Sequence, residues 1–358
     1  MDERRQRYWD LLDFSVGHGL EVGPLHRAMV TRAEGDVSYV DVTDRDRLVE
    51  HYSTDPSVPA DAIPEIDFWL IDEGGATRTL VEATAAGAPF DWVMASHVIE
   101  HVPNIIGWLD ELAQIVVDGG RLVLAVPDRR YEFDVHRPAS TVGQMLQAHY
   151  AEDQRPAVAA VYDHFSSAVH YDPTGVWEGR LPTFEDRIHT FEQARDMVAR
   201  TLAGEYVDSH VWLFTPESFV HQLHELRQAG LSGWVVEKIN PTLLHNLEFQ
   251  VVLRRLPRAG DATADVPDEV LPLTTRPTWL ADQVAAPEPD ADTAALQRRV
   301  ERLEARLARK NDALRRLRRR VRRQARKLAR FRDQADATAG ATIGERARAR
   351  VRALRNGR

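Results

Sequence analysis

Short apolar runs that alternate with helical segments constrain the fold of this chain more than any other feature. Five runs have the length and composition of buried strands: residues 16–22, 37–42, 66–71, 92–95 and 122–126. Apolar side chains from Ile105 to Val117 recur at helical spacing, and Gly119 and Gly120 then supply a helix-stop signal. Strands that alternate with helices form a parallel sheet whose faces are both covered. The sequence therefore predicts an α/β fold, with a further helix beginning at Leu25.

The second half of the domain interrupts this alternation and then resumes it. Residues 129–206 are rich in His, Tyr and Phe and mostly helical in pattern. We expect them to form a helical insertion, or lid, over the strand ends. After Val207 a run "VWLF" leads to a helix over 216–229, with Pro at its first turn and Gly230 at its end. The runs "WVVEKI" and "EFQVVLRR" predict a closing pair of strands, so one domain is expected over residues 1–256.

The rest of the chain differs in charge. Residues 291–358 hold 23 Lys and Arg against 7 Asp and Glu, a net charge of +16, whereas residues 1–290 carry −25. Residues 257–290 contain six prolines and no sustained period, which predicts a disordered linker. Heptad spacing predicts a basic coiled coil over 291–336, followed by a basic disordered tail over 337–358. A lone basic amphipathic helix is the alternative. The coiled coil is expected to form a homo-oligomer or, since its positive flanks repel, to bind an acidic protein partner.

Composition excludes several classes of protein. The chain has no cysteine, which excludes disulfides, thiolate zinc sites and cysteine nucleophiles. No run of about 18 apolar residues exists, so no transmembrane segment is expected. The first residues lack the apolar core of a signal peptide, and we expect a cytoplasmic protein. Nucleic acid is an unlikely partner because the body of the chain is strongly acidic, although the basic tail could bind phosphates.

A cofactor loop is indicated after the first strand. The stretch "GLEVGPLHR" places Glu21 and then Gly23 and Pro24 at a tight turn, where glycine lets a backbone approach a ligand closely. Asp41 ends the second strand, and a carboxylate there can accept both ribose hydroxyls of a nucleoside. Glu21 would repel a pyrophosphate but attract a cation such as a sulfonium. An ordinary strand–helix turn, and a strand or helix cap at Asp41, remain the alternatives.

The stretch "DWVMASHVIEHV", continuing to "GGRLVLAVP", completes a recognisable pattern. With the loop and Asp41 it resembles the class I S-adenosylmethionine (SAM)-dependent methyltransferases over about residues 15–255. The resemblance implies a Rossmann-like seven-stranded sheet with an antiparallel last strand, and SAM as cofactor. It implies that Glu21 and Gly23 hold the amino-acid part of SAM, with Pro24 in the same loop, and that Asp41 holds the ribose. It also implies that Asp72 lies near the adenine and His97 on the methionine side.

The acceptor is suggested by a looser match. The stretch from Val126 to Pro138 resembles methyltransferases found among bacterial cell-surface polysaccharide enzymes, which implies a saccharide or other small-molecule hydroxyl as acceptor. Methyl transfer to a hydroxyl benefits from a general base, and histidine is suited to that task near neutral pH. His136 and His210 are the candidate bases. Each is also open to a structural interpretation, as a hydrogen-bonding histidine of the core.

A metal site is the alternative use of one motif. His97, Glu100 and His101 lie within five residues, and a set of two imidazoles and one carboxylate suits Zn, Mn or Fe better than Mg. The competing interpretation is that Glu100 and His101 fix the loop and the start of the next helix. We expect no metal, because three neighbouring ligands rarely suffice without a fourth from elsewhere.

Two classes of function follow. The first is a SAM-dependent methyltransferase that methylates an oxygen of a saccharide or of a cell-surface polysaccharide precursor. The second is a catalytically weak or inactive protein of the same fold, which recruits partners through its coiled coil. The sparse glycines of the loop favour the second, and the match over residues 91–128 favours the first.

Overall fold

A seven-stranded sheet forms the centre of the computed structural model, which describes residues 2–72, 74–256 and Arg348. The strands are β1 (His18–Val22), β2 (Asp36–Asp41), β3 (Phe68–Trp69), β4 (Phe90–Ser96), β5 (Val116–Pro127), β6 (Trp234–Asn240) and β7 (Glu248–Arg255). Their order is β3-β2-β1-β4-β5-β7-β6. Neighbours from β3 to β5 are parallel, and β7 is antiparallel to both β5 and β6. The Rossmann-like α/β sheet with an antiparallel last strand is thus confirmed.

Helices cover the sheet and form the segment after β5. They are α1 (Glu3–Trp9), α2 (Arg45–His51), α3 (Leu80–Thr84), α4 (Ile105–Ile115), α5 (Val142–Tyr150), α6 (Val158–Ser167), α7 (Pro173–Trp177), α8 (Phe191–Leu202) and α9 (Pro216–Gln228). Single turns of 3₁₀ helix occur at Ala60–Ala62, Arg129–Tyr131 and Phe184–Asp186. Local sequence sets where α4, α5 and α9 begin, because the side chains of Asn104, Thr141 and Thr215 accept a hydrogen bond from the first turn.

Alternation along the strands divides the core into two layers. In β4, Val93 and Ala95 pack on one side of the sheet, against the apolar face of α4, whereas Trp92 and Met94 pack on the other. This follows from the period of a strand, whose successive side chains point to opposite faces. On the second side Phe14 meets Trp92 edge-to-face, with ring centroids 4.9 Å apart. The central strands are therefore buried on both faces, as their continuous apolar sequence predicts.

The segment after β1 differs from the prediction, since the expected helix from Leu25 is absent and residues 25–27 form turns. Gly23 has φ +63° and Leu25 has φ +40°, so the chain leaves β1 in the left-handed region rather than in a helix. The carboxylate of Glu21 then accepts the backbone N–H groups of Met29 and Val30. These amides are satisfied by a side chain, which replaces the hydrogen bonds that a helix would provide.

One predicted strand is also shortened. The run at 66–71 forms only the two-residue β3, although the Leu70 and Ile71 N–H groups still donate to the Asp41 and Val42 carbonyls beyond it. The run "VWLF" at 211–214 is not a strand and makes one bridge, between Phe214 and Asp128. Its first two N–H groups donate instead to the Glu100 carbonyl, which fixes this run against the end of β4.

The helical segment at 129–206 agrees with its predicted pattern, since it contains α5 to α8. Trp177 Nε1 donates to the Asn246 carbonyl over 2.9 Å, which attaches the segment to the loop before β7. The predicted linker, coiled coil and tail lie outside the described residues, apart from Arg348, and their boundaries stay predictions. Among the helices that the structure describes, none is long and apolar enough to cross a membrane.

Candidate active site

The carboxyl ends of the parallel strands bring the predicted site residues to one edge of the sheet. Glu21 and Gly23 follow β1, Asp41 ends β2, Asp72 follows β3 and His97 follows β4. In open α/β sheets ligands bind beyond this edge, so the topology agrees with a cofactor site here. What each side chain does there depends on its partners.

Glu21 shapes the loop rather than presenting free lone pairs. Its side chain is buried, and its two oxygens accept hydrogen bonds from Met29 N at 2.6 Å and Val30 N at 3.0 Å. Burial raises the pKa of Glu21 to about 7 despite these bonds. Gly23 donates its N–H to the Val40 carbonyl, and Pro24 is buried behind the turn. The loop is thus a rigid structure held between β1 and β2.

Asp41 has the chemistry of an acceptor with room for a ligand. Its only hydrogen bond among the described residues comes from the neighbouring Val42 N–H, at 2.7 Å. Burial raises its pKa to about 6, which shows that its surroundings do not compensate the charge fully. Asp72 differs, because it accepts the Ala76 N–H at 2.9 Å and closes the turn after β3.

His97 lies at the centre of an ion-pair cluster made of Arg4, Tyr8, Ser96, His97 and Glu248, which joins α1, β4 and β7. The His97 Nε2 is 2.8 Å from a Glu248 oxygen, and Arg4 donates two further hydrogen bonds to that carboxylate at 2.9 and 2.7 Å. Tyr8 donates another at 2.9 Å. The backbone of His97 has φ +55° and its N–H donates to the Ala125 carbonyl, which directs the ring away from the strand.

The charges in this cluster are strongly shifted. Burial favours the neutral form of Glu248, but the hydrogen bonds from His97 and Arg4 outweigh it and lower the pKa to about 2. Burial would also lower the pKa of His97, yet the nearby carboxylates of Glu100 and Glu248 raise it to about 9. His97 is therefore an imidazolium at neutral pH, with Nε2 2.8 Å from Glu248 and Nδ1 3.4 Å from Glu100.

A second group, the histidine–carboxylate network, lies between the end of β4 and the helical segment. Its members are Glu100, His101, Glu132, Asp134, Asp208 and His210. His210 Nδ1 is 2.6 Å from Asp134 and 3.7 Å from Glu132, and His101 Nδ1 is 2.9 Å from Asp208. The His101 and His210 rings meet edge-to-face with centroids 4.8 Å apart. Residues from three separate stretches of sequence thus converge on one polar group.

The two candidate bases have different surroundings. Burial would lower the pKa of His210, but its bonds to Asp134 and Glu132 raise it to about 10, so His210 is already protonated at neutral pH and cannot accept a proton there. His136 is stacked on Phe184, with ring centroids 4.4 Å apart, and its described contacts lie within the helical segment. The structure therefore does not bring the two histidines together.

The motif of His97, Glu100 and His101 is also regrouped. His97 Nδ1 lies 3.4 Å from Glu100 Oε1, but its Nε2 is taken by Glu248. Among the described residues, ligating atoms lie within 4.8 Å of one another in two sets of three side chains: Glu100, His101 and His210, and Glu132, Asp134 and His210. Sequence reasoning missed Arg4, Glu248, Asp134 and Asp208, because the partners of these side chains lie 76 to 244 positions away in the chain.

One large cavity, of about 580 Å³, lies elsewhere. It is lined by α1 and the loop after β1, including Arg4, Arg5, Met29 and Arg32. None of the predicted cofactor residues lines it. The candidate active site is made of the side chains at the strand ends and does not include this cavity.

Comparison with known proteins identifies the family. A family model described as "Methyltransferase domain" matches residues 3–232, nearly two thirds of the chain. The chain belongs to this family of methyltransferases, and SAM is its methyl donor. No curated protein matches the chain significantly.

Solved structures resemble the chain only distantly. An S-adenosylmethionine-dependent methyltransferase from Listeria monocytogenes is 10% identical, with a TM-score of 0.36, over 71% of this chain and 97% of that one. One from Mesorhizobium loti is 15% identical, with a TM-score of 0.34, over 68% and 93%. A protein from Rhodobacter sphaeroides described as a zinc-dependent alcohol dehydrogenase is 13% identical, with a TM-score of 0.39, over 72% and 91%. Likeness at this level says nothing of the substrate.

Proposed function

We propose that the protein transfers the methyl group of SAM to a hydroxyl oxygen of a saccharide or of a cell-surface polysaccharide precursor. The observation that carries this proposal is the histidine–carboxylate network next to His97. A polyhydroxylated acceptor needs many directed hydrogen-bond partners, and this network offers carboxylates and imidazoles directly after β4, where the methionine side of SAM is expected. The looser match over 126–138 supports the same class of acceptor and includes Glu132 and Asp134.

The proposed cofactor contacts follow from the strand ends. Asp41 accepts the ribose hydroxyls, because its carboxylate has a single backbone partner among the described residues. The turn at Gly23 and Pro24 brings its backbone near the amino-acid part of SAM, and Glu21 acts through the loop that it braces. Asp72 stands near the adenine and His97 near the methionine side.

The chemical step asks little of the protein beyond placement and proton uptake. The acceptor oxygen attacks the methyl carbon, the C–O bond forms as the C–S bond breaks, and the electron pair of the broken bond goes to sulfur, which gives S-adenosylhomocysteine. The network lines up the acceptor hydroxyl for this attack. We assign the released proton to Glu132, whose pKa is raised by burial, since His210 is already protonated.

Titration calorimetry with SAM tests the cofactor site. We expect Asp41→Ala to weaken binding by roughly 10- to 150-fold, because a hydrogen-bonded charge contributes about 1.5–3 kcal/mol. Asp46→Ala is the matched control, since Asp46 is an exposed carboxylate on the neighbouring α2 with 95% of its side chain accessible. Equal binding by wild type and Asp41→Ala would refute the assignment.

Transfer of a labelled methyl group tests the acceptor. The full-length protein would be incubated with methyl-labelled SAM and a panel of sugars, nucleotide sugars and oligosaccharides, and the products mapped by mass spectrometry. We expect a label on oxygen in at least one saccharide. SAM binding without transfer to any member of the panel would reject the saccharide proposal and favour a protein that only recruits partners.

A further inference from the structure

Glu100 is a buried carboxylate without hydrogen-bond partners. Its side chain is 1% exposed, and neither oxygen has a described partner in hydrogen-bonding geometry. The closest donors are His97 Nδ1 at 3.4 Å and His101 Nε2 at 3.9 Å from Oε1. Buried carboxylates are normally satisfied by hydrogen bonds or by a cation, because desolvation of an isolated charge is costly. Glu100 therefore has ion-pair neighbours at 3.4 and 3.9 Å but no hydrogen bond among the described residues.

Two imidazole rings face this carboxylate with their outer nitrogens already fixed. His101 Nδ1 is 2.9 Å from Asp208, and His210 Nδ1 is 2.6 Å from Asp134. Histidines that bind a metal almost always hold a carboxylate or carbonyl with their second nitrogen, which sets the tautomer and the direction of the ring. The inner Nε2 atoms of both rings are left for a ligand, and the donor atoms of Glu100, His101 and His210 lie within 4.8 Å of one another.

Buried carboxylates crowd this group. Glu100, Glu132 and Asp134 are all buried, and the guanidinium that pairs with any of them in the described residues is that of Arg137, at 2.8 Å from Asp134. The other positive charge comes from the imidazoliums of His97, 3.4 Å from Glu100, and His210, 2.6 Å from Asp134. A divalent cation bound beside Glu100 would replace the proton of His210 and keep positive charge next to these carboxylates.

We propose that Glu100, His101 and His210 bind a first-row transition-metal dication of the kind of Zn²⁺, Mn²⁺ or Fe²⁺. Two nitrogens and one carboxylate oxygen suit these ions, whereas Mg²⁺ and Ca²⁺ prefer oxygen alone. Three protein ligands leave at least one coordination position open, as in catalytic sites. The motif read from the sequence grouped His97, Glu100 and His101. In the folded chain His210 replaces His97 in that set, so one ligand comes from a distant part of the chain.

The open position gives this site a role in the proposed transfer, and this part rests on the proposed function. A hydroxyl oxygen of the saccharide that coordinated the ion would become more acidic and would lose its proton more readily. Neighbouring hydroxyls of a sugar could occupy two positions at once, which would restrict the oxygen that is methylated. The ion would thus bind the acceptor, while the residues at the strand ends would bind SAM.

Metal content decides the proposal. Full-length protein without a polyhistidine tag, stripped with a chelator, would be dialysed against Zn²⁺, Mn²⁺ or Co²⁺, the last also as a visible-absorption probe, and the bound metal measured by mass spectrometry. We expect one ion per chain in the wild type and loss of that ion in Glu100→Gln and His101→Gln. Asp134→Asn should weaken binding by about 10- to 100-fold, because it removes only the outer partner of His210.

His221→Ala removes an exposed histidine on α9, with 66% of its side chain accessible, and should keep the ion. If Glu100→Gln does not fold, as judged by its circular dichroism, the half-exposed His101→Gln decides alone. The proposal is overturned if the wild type binds none of the three metals, or if His101→Gln binds a metal as well as the wild type does. SAM titration of the metal-free protein distinguishes failure of the metal site from failure of the proposed function. A protein that binds SAM but no metal rejects only the metal site. A protein that binds metal but not SAM rejects the proposed function.

Discussion

Replacement of Glu248 by Gln tests whether the cluster of Arg4, Tyr8, His97 and Glu248 stabilises the fold by its charge. Gln has nearly the same volume, so packing is kept while the charge is removed. The pKa of Glu248 is about 2, against an ordinary value of 4.5. A shift of this size corresponds to about 3 kcal/mol of unfolding free energy at pH 7, by order of magnitude. We expect Glu248→Gln to lose about that amount in urea denaturation.

The pH dependence gives the prediction its sign. A carboxylate whose pKa is lowered on folding contributes its full stabilisation above the unfolded value of about 4.5, and this contribution disappears as the pH falls through about 2. At pH 3, roughly 2 of the 3 kcal/mol should already be gone. The difference in unfolding free energy between wild type and Glu248→Gln should therefore shrink steadily between pH 5 and pH 3, the region where Glu248 of the unfolded chain takes up its proton.

Glu237→Gln is the matched control. Glu237 lies on the neighbouring strand β6 and pairs with Arg121 at 3.0 Å, but its side chain is more exposed than that of Glu248. Exposed ion pairs contribute less than about 1 kcal/mol, so this variant should change little at any pH. Equal losses in the two variants, or a Glu248→Gln loss that persists unchanged at pH 3, would show that the cluster does not act through the charge of Glu248.

Two further predictions concern the core and the cofactor loop. Leu109→Ala removes a fully buried side chain of α4 and should cost about 2–5 kcal/mol in chemical denaturation, whereas Leu202→Ala, at an exposed position of α8, should stay within about 0.5 kcal/mol; similar values would mean that α4 does not pack as described. Gly23→Ala meets no steric clash, since its Cβ would lie 3.4 Å from Val98, but φ +63° strains any other residue by about 1–2 kcal/mol. We expect Gly23→Ala to lower the unfolding free energy by that amount, seen as a lower melting temperature, and to weaken SAM binding. An unchanged melting temperature would contradict this conformation of the loop.

The elements with strong local patterns were predictable. The strand at 122–126, the helices near 105–117 and 216–229 and the closing strand pair all appear in the structure, because hydrophobic period and capping residues act over a few positions. The predicted helix from Leu25 failed because the competing partner, Glu21, satisfies the Met29 and Val30 amides from the preceding strand. Helix propensity depends on the residues of the segment itself and does not include hydrogen bonds to a side chain of the preceding strand.

The candidate site was predictable only in part. The positions of Asp41 and His97 at strand ends follow from the alternation of strands, and so does the local group of His97, Glu100 and His101. The roles of those histidines do not. His97 meets Glu248 151 positions away, His101 meets Asp208 107 positions away, and His210 meets Asp134 76 positions away.

The sequence by itself thus determined the class of fold, the edge of the sheet that carries the site and the kinds of side chain available there. These properties depend on neighbours two to four residues apart, which any folded form of the chain must respect. Only the tertiary structure decided which side chains are charged, which one lacks a partner and which three could share an ion. Electrostatic interactions act through space between residues distant in the chain, so His210 became a candidate metal ligand only when the fold brought it beside Glu100 and His101.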